Sequence, residues 1–347
     1  MAVTGKQCLR ISRIDSNEYH LDRVLARGTC LTILLLMATA WPNAVRGYET
    51  DQYSNRDEPI ADSTAVLNRK VNDAIEDIVA RWDKGHDEMA FVDAIYHRLG
   101  GHFWVDKLER WAMKSPDVAK LDTPRYHSIY SGIPFWDSRF IAVFGIGDTI
   151  RVNGQLIGTD KIGHFFSQGR KFYRRFVRYG SEARAAERSA YTERAIFGSM
   201  TTGNYSNADL VANYEGHRFY RSLFEDGIVP GKPAILRWQG ENWVIQRPFD
   251  WADHVNAYWD EALNVSHFDA LLYKPMYERL IEQCPNYWEH PGLYTVADEA
   301  KLKARYDFLG LKAAPELRLD SLCPVQVFLE KRAMAAEKSS PDVRGAP

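Results

Sequence analysis

The chain has 347 residues, 45% of them hydrophobic and 26% charged, with a formal net charge of -2. That length and composition suit one large globular domain, or two small ones, with a sizeable core. A charge so near zero leaves no global basic field, so a nucleic-acid partner is not expected. Aromatic residues make up 13%, including ten Trp and eighteen Tyr. Such a surplus suits either a tightly packed helical core or a cleft that stacks on sugar rings.

Near the N-terminus, "LTILLLMATAW" (Leu31 to Trp41) is an apolar run preceded by Arg23 and Arg27 and followed by "PNAVRG". Crossing a bilayer takes ~20 apolar residues, so the run reads as the apolar region of a secretory signal. Residues 1–47 are accordingly expected to be a signal peptide with an extended n-region, cleaved after Ala44 or Gly47. Cys30 follows Arg-Gly-Thr and lacks the small and apolar neighbours of a lipid-attachment site. The mature chain would keep Cys284 and Cys323, which can pair as a disulfide in an oxidising compartment or stay as separate buried thiols. No other segment has the length and purity of a transmembrane helix. The expected location is periplasmic or secreted, with no transmembrane span in the mature chain.

Residues 48–62 are polar and aperiodic and are expected to form a linker. From Ser63 the pattern turns helical: "STAVLNRKVNDAIEDIVARWD" places Val66, Val71, Ile75, Ile78 and Trp82 at spacings of three to five. "HDEMAFVDAIYHRLGG" and "HFWVDKLERWAMKSPD" suggest two more helices, the first stopped by a Gly pair and the second by Pro116. A Pro- and Gly-punctuated stretch follows. "DTIRVNGQLIGTD" then has two β-prone arms around Asn153-Gly154, a strong hairpin signal. Helices are expected at 159–179, 181–198 and 207–224, the last begun by Ser206 with Asp209 at capping-box spacing. A second hairpin is expected in "AILRWQGENWVIQ", then helices in "DWADHVNAYWDEALN", "HFDALLYKPMYERLIEQC" and "VADEAKLKARYDFLG". The fold class is mainly α: a single helical domain over 63–330 with two short β-hairpins, and a disordered tail at 331–347.

The chemistry-bearing residues cluster in "GTDKIGHFF" and the two helices after it. On a helix begun by Thr159, Asp160 and His164 lie four residues apart on one face. A carboxylate beside an imidazole fixes its tautomer, and the same spacing can offer two ligands to one metal ion. The bland alternative is a first-turn acid favoured by the helix dipole. On the next helix Ala186, Ala190, Glu193 and Phe197 share a face, so Glu193 is a lone charge in an apolar stripe. Such a carboxylate is paired, metal-bound or shifted toward general-acid duty. On the third helix Tyr205, Asp209, Asn213, Gly216, His217 and Tyr220 form a stripe whose polar members point at something specific, because apolar residues cover most of the remaining surface. Glu215 with Arg218 offers a competing wet face. Gly216 would let a ligand or another backbone approach closely.

"DKIGHF" (Asp160, Lys161, His164, Phe165) resembles the Asp-Lys-x-x-His-Phe signature of bacterial envelope families that include the VanZ-like proteins and the YfiM-type lipoproteins. The resemblance implies an envelope location, with Asp160, Lys161 and His164 acting together. The expected catalytic set is Asp160, Lys161, His164, Glu193, Asp209, Asn213 and His217, with His164, Glu193 and His217 as ligands should a divalent metal be the cofactor. One reading is a hydrolase-like site, either metal-assisted or with Glu193 as general acid and His164 or His217 as base, acting on an envelope glycan or lipid. The other is a non-catalytic envelope protein whose polar network fixes helix register and whose surface binds a partner or the cell wall. No GxSxG elbow, P-loop, HExxH or CxxC is present, which weighs against an elbow-type serine hydrolase, an NTPase and a gluzincin.

Overall fold

The helical periodicity that begins at Ser63 is realised in a computed structural model that describes residues 49–101, 105–134, 146–193 and 203–324. All of these fall in the unit Val45–Pro347. The expected signal peptide and tail lie outside the described residues. Helices carry most of the regular backbone and strands form only small sheets, so the fold is mainly α.

Helix α1 (Thr64–Ala80) buries Leu67, Val71, Ala74 and Ile75, one face of a helical wheel. Asp62 secures its start by accepting from the Thr64 N–H at 2.8 Å. Helix α2 (Glu88–Leu99) is capped by Asp87, which accepts from the Ala90 N–H. In α3 (Lys107–Lys114) the Glu109 carboxylate returns to the Asp106 N–H at 3.1 Å, half of a capping box.

The strands β1 (Glu49–Thr50), β2 (Lys120–Leu121), β3 (Ile146–Gly147), β4 (Thr149–Val152) and β5 (Gln155–Gly158) come next. β1 runs parallel to β3, and β2, β4 and β5 make an antiparallel sheet. Between β4 and β5, Asn153 and Gly154 both have positive φ, 51° and 74°. That two-residue turn matches the right-handed twist of its strands, which is why Asn-Gly favours it. The register sets Thr149 opposite Gly158, so β5 delivers the chain directly to Thr159.

From there a helical rod runs through α4 (Asp160–Gly163), a π-helical turn at His164–Gln168 and α5 (Gly169–Tyr179). Gly180, at φ 63°, ends α5, and Ser181 caps α6 (Glu182–Thr192). After β6 (Asn204–Tyr205) comes α7 (Asn207–Ser222), begun by Ser206, whose hydroxyl accepts from the Asp209 N–H at 3.1 Å. Helix α7 packs along α5 and the π-helical turn. At that crossing a Cβ on Gly216 would sit 2.0 Å from the Phe165 carbonyl oxygen, and one on Gly169 2.6 Å from the Gly216 Cα. Gly216 therefore admits a second backbone.

Strands β7 (Leu236–Gln239) and β8 (Asn242–Ile245) pair antiparallel, as do β6 and β9 (His267–Phe268). Helices α8 (Ala270–Ile281), α9 (Cys284–Glu289) and α10 (Glu299–Tyr306) complete the described elements. Cys284 and Cys323 form a disulfide across 39 positions. By loop-closure entropy, Cys323→Ser is expected to cost about 4 kcal/mol. Denaturant midpoints with and without reductant check this, and a midpoint unmoved by reduction would refute it.

Two expectations change. Residues 49–62 are not a linker: Thr50, Asp51, Gln52, Tyr53 and Arg56 are buried. Their polarity concealed this because the polar groups are paired inside the fold. Asp51 accepts from the N–H groups of Tyr53 (2.8 Å) and Ile129 (2.9 Å), and Arg56 meets Asp260 at 2.7 Å. The segment "DWADHVNAYWDEALN" makes two 3-10 turns, Trp251–Asp253 and Ala257–Trp259, in place of a helix. Asp250 and Asn256 each accept from the N–H two residues on, a local bond that competes with α-helical pairing. Of the two readings of the aromatic surplus, the buried Trp243, Trp251 and Trp259 follow the packed core. Among the described residues no helix is long and apolar enough to cross a membrane.

Candidate acid–base site

The end of β5 and the first turn of α4 place Asp160 and Lys161 against the start of α7. Lys161 is 1% exposed, and its Nζ lies 2.6 Å from Asp160 Oδ2, 2.6 Å from Asp209 Oδ1 and 2.8 Å from Glu261 Oε1. Burial works against an ammonium. The three carboxylates nevertheless push the Lys161 pKa well above the ordinary lysine value.

Asp209 also touches His164, with 3.2 Å between Oδ2 and Nε2. Burial favours its neutral form, but His164 and Lys161 together hold it below the usual aspartate value. The other ring nitrogen, Nδ1 of His164, lies 3.0 Å from Asn213 Oδ1. Asn213 in turn reaches Ser189 Oγ on α6 at 3.4 Å. The imidazole is thus clamped on both sides by residues one turn apart on α7.

Glu193 follows α6 and is buried. Burial first, and then the Asp209 charge, raise it well above the carboxylate range. Glu49, on β1, accepts from Asn204 Nδ2 at 2.9 Å and is raised to about 7 by burial and by Asp209. Burial raises Glu261 to about 8 against the pull of Lys161. Glu261 also accepts from Ser206 Oγ at 2.8 Å, tying the α7 cap to the cluster. The side chains of His164, Asp160 and Asp209 are 17%, 13% and 11% exposed. Solvent therefore meets the cluster on the His164 side, while Lys161 lies behind.

Six of the expected residues meet here: Asp160, Lys161, His164, Glu193, Asp209 and Asn213. His217 does not. One turn beyond Asn213 it stacks on Phe172 with centroids 4.8 Å apart, and its Nε2 lies 3.2 Å from Glu182 Oε1. Burial lowers its pKa against the pull of Glu182, and the ring packs among aromatics apart from the cluster. The expected ligand set His164, Glu193 and His217 consequently does not assemble. Asp160, His164 and Asp209 do bring one ligand atom each within 4.8 Å of one another, a spacing that one cation can bridge. Nor are Glu215 and Arg218 a wet face. Glu215 is fully buried, accepting from Arg305 at 2.5 Å and Tyr306 at 2.8 Å, with His254 at 3.3 Å.

Glu49, Asn204 and Glu261 were not legible as members. Glu261 carried one signal, an acid in the aromatic-rich "AYWDEAL", which the helix reading of that segment hid. No family model, curated protein or solved structure matches the chain. Function is therefore read from the cluster's own chemistry.

Proposed function

We propose that this cluster is the acid–base centre of a hydrolase acting outside the cytoplasm, with Asp209 as general base and Glu193 as general acid. The observation that carries the reading is Asp209 held 2.6 Å from Lys161 Nζ and 3.2 Å from His164 Nε2, while buried Glu193 at the end of the neighbouring helix is shifted in the opposite direction. Environments that drive two carboxyls apart in pKa are how acid and base roles are divided within one site. Asp209 takes a proton from water as the water oxygen bonds to the substrate. Glu193 gives its proton to the leaving group as the scissile bond breaks, and the proton on Asp209 then returns to Glu193. Lys161 and His164 position Asp209 and keep it ionised. With both ring nitrogens engaged, His164 does not serve as the free base. The disulfide, the signal-like N-terminus and the Asp-Lys-x-x-His-Phe resemblance support a periplasmic or secreted setting with an envelope glycan or lipid as substrate.

Glu193→Gln preserves the size of the side chain but removes the transferable proton. Turnover of envelope glycan or lipid fractions is expected to fall roughly 10²–10⁴-fold, with the thermal midpoint held or raised. Full activity in Glu193→Gln, or inactivity of the wild type on every fraction, would leave the non-catalytic register network as the reading.

A metal-assisted version is favoured by one further observation. Asp160, His164 and Asp209 converge, Asn213 holds the opposite imidazole nitrogen, and Asp160 Oδ1 is buried without a hydrogen-bond partner. A divalent ion held there would polarise the attacking water. Zinc or manganese is then expected to raise the thermal midpoint of the wild type and leave His164→Ala unmoved. Metal-free purified protein with no such rise removes this version.

A further inference from the structure

Helices α5 and α6 are packed neighbours joined through Gly180 and Ser181. On α5, Lys171, Arg174, Arg175 and Arg178 follow the spacing of three, four and seven that defines one helical face. On α6, Arg184 and Arg188 repeat the four-residue step, with Tyr191 one turn on. The two rows meet: Arg175 donates to Thr192 Oγ1 at 3.0 Å, and that hydroxyl donates to the Arg188 carbonyl at 2.8 Å. Among the described residues Arg174, Arg178, Arg184 and Arg188 have no carboxylate partner. Glu182 is already engaged by Arg221 and His217, which leaves Glu187 as the exposed acid of these helices. A chain of net charge -2 thus gathers unneutralised guanidinium groups on one surface. Val177 and Tyr191 stand exposed on the same two helices, at 54% and 59%.

We infer that the joint basic face of α5 and α6 docks on an anionic phospholipid surface. Arginine forks match phosphate oxygens two at a time and are weakly hydrated, so they suit a plane of phosphate headgroups. An aliphatic and an amphipathic aromatic side chain beside the cations can enter the headgroup boundary. A single-stranded nucleic acid would need successive aromatic platforms among the cations, and here Tyr191 is the one markedly exposed ring on these helices. This face is independent of the acid–base reading.

The test is co-sedimentation of the full chain with phosphatidylcholine vesicles, with and without about a third phosphatidylglycerol, in moderate salt. The wild type is expected to bind the anionic vesicles roughly tenfold more tightly, with the difference fading as salt rises. Changing Arg174, Arg178, Arg184 and Arg188 to Glu should abolish that preference. The same change at exposed Arg69, Lys70, Arg81 and Lys84 should leave it intact. The apolar run Leu31–Trp41 is shared by all three proteins and cancels in the comparison. Should the Glu variant fail to fold, the Gln version at the same four positions replaces it. Equal binding to both vesicle types, equal loss in the control, or tighter binding to a short DNA than to the vesicles would each overturn the inference.

Discussion

Lys161→Met is expected to lose about 3–5 kcal/mol of folding stability near pH 7, the cost of leaving buried carboxylates without their counterion. Methionine fills much of the same volume, so a cavity contributes little. The damage is electrostatic: Asp160, Asp209 and Glu261 each lose a contact of 2.6 to 2.8 Å. The deficit should depend on pH in a definite direction. Glu49 and Glu261 hold protons up to about 7 and about 8, while the unfolded chain releases them near 4.5. Wherever the native state binds more protons, stability falls as pH rises. The wild type should therefore weaken between about pH 5 and 8, and Lys161→Met should weaken faster. Asp209 has the opposite sign: its contribution is present above the ordinary value of 3.8 and is lost as pH falls through its lowered folded value. Lys161 itself contributes fully below 10.5, outside this window. Urea midpoints at pH 5 and pH 8 decide the matter. A loss under about 1 kcal/mol, or one equal at both pH values, would contradict the arrangement.

Gly216→Ala is expected to cost about 3 kcal/mol or more, although alanine is the better helix former by ~1 kcal/mol. The new Cβ would lie 2.0 Å from the Phe165 oxygen, 2.8 Å from the Phe165 carbon and 3.0 Å from the Gly169 Cα. All three are backbone atoms, so no rotamer change relieves the contact. Either α7 moves away from the π-helical turn or the turn is rebuilt. Phe165 adjoins His164, and Gly216 shares α7 with Asp209 and Asn213, so relief by separation also breaks the clamp on the imidazole. Stability and activity are expected to fall together. Gly180→Ala is the control: its φ is 63° but nothing lies within 4 Å, so only the backbone penalty of about 1 kcal/mol applies. Equal, small losses for the two variants would show that the helices do not touch backbone to backbone.

Much of this molecule is written locally. The spacing on α1, the Asn153-Gly154 turn, the Ser206 cap and the offset of four between Asp160 and His164 all come from neighbours within one or two turns. Backbone geometry makes such patterns readable from order alone. The stripe on α7 pointed to Asp209 and Asn213, which lie against His164, because a rod buried nearly all round has nowhere else to send polar groups. The same periodicity overreached at His217, since it reports a shared face and not how far along that face the neighbouring helix's site extends.

What remained hidden is the pairing of distant positions. Lys161 meets Glu261 across 100 residues, and Asn204 meets Glu49 across 155. Glu49 and Arg56 resemble a solvated linker in composition, and only burial against their partners turns their polarity into structure. Which way a carboxyl's pKa moves is likewise absent from its letter: His164 and Lys161 hold Asp209 down against its burial, whereas burial and then the Asp209 charge push Glu193 up. Local order thus determined which residues face inward from each rod, and tertiary packing alone decided which of them meet, because charge coupling acts through space within a few ångströms regardless of separation along the chain.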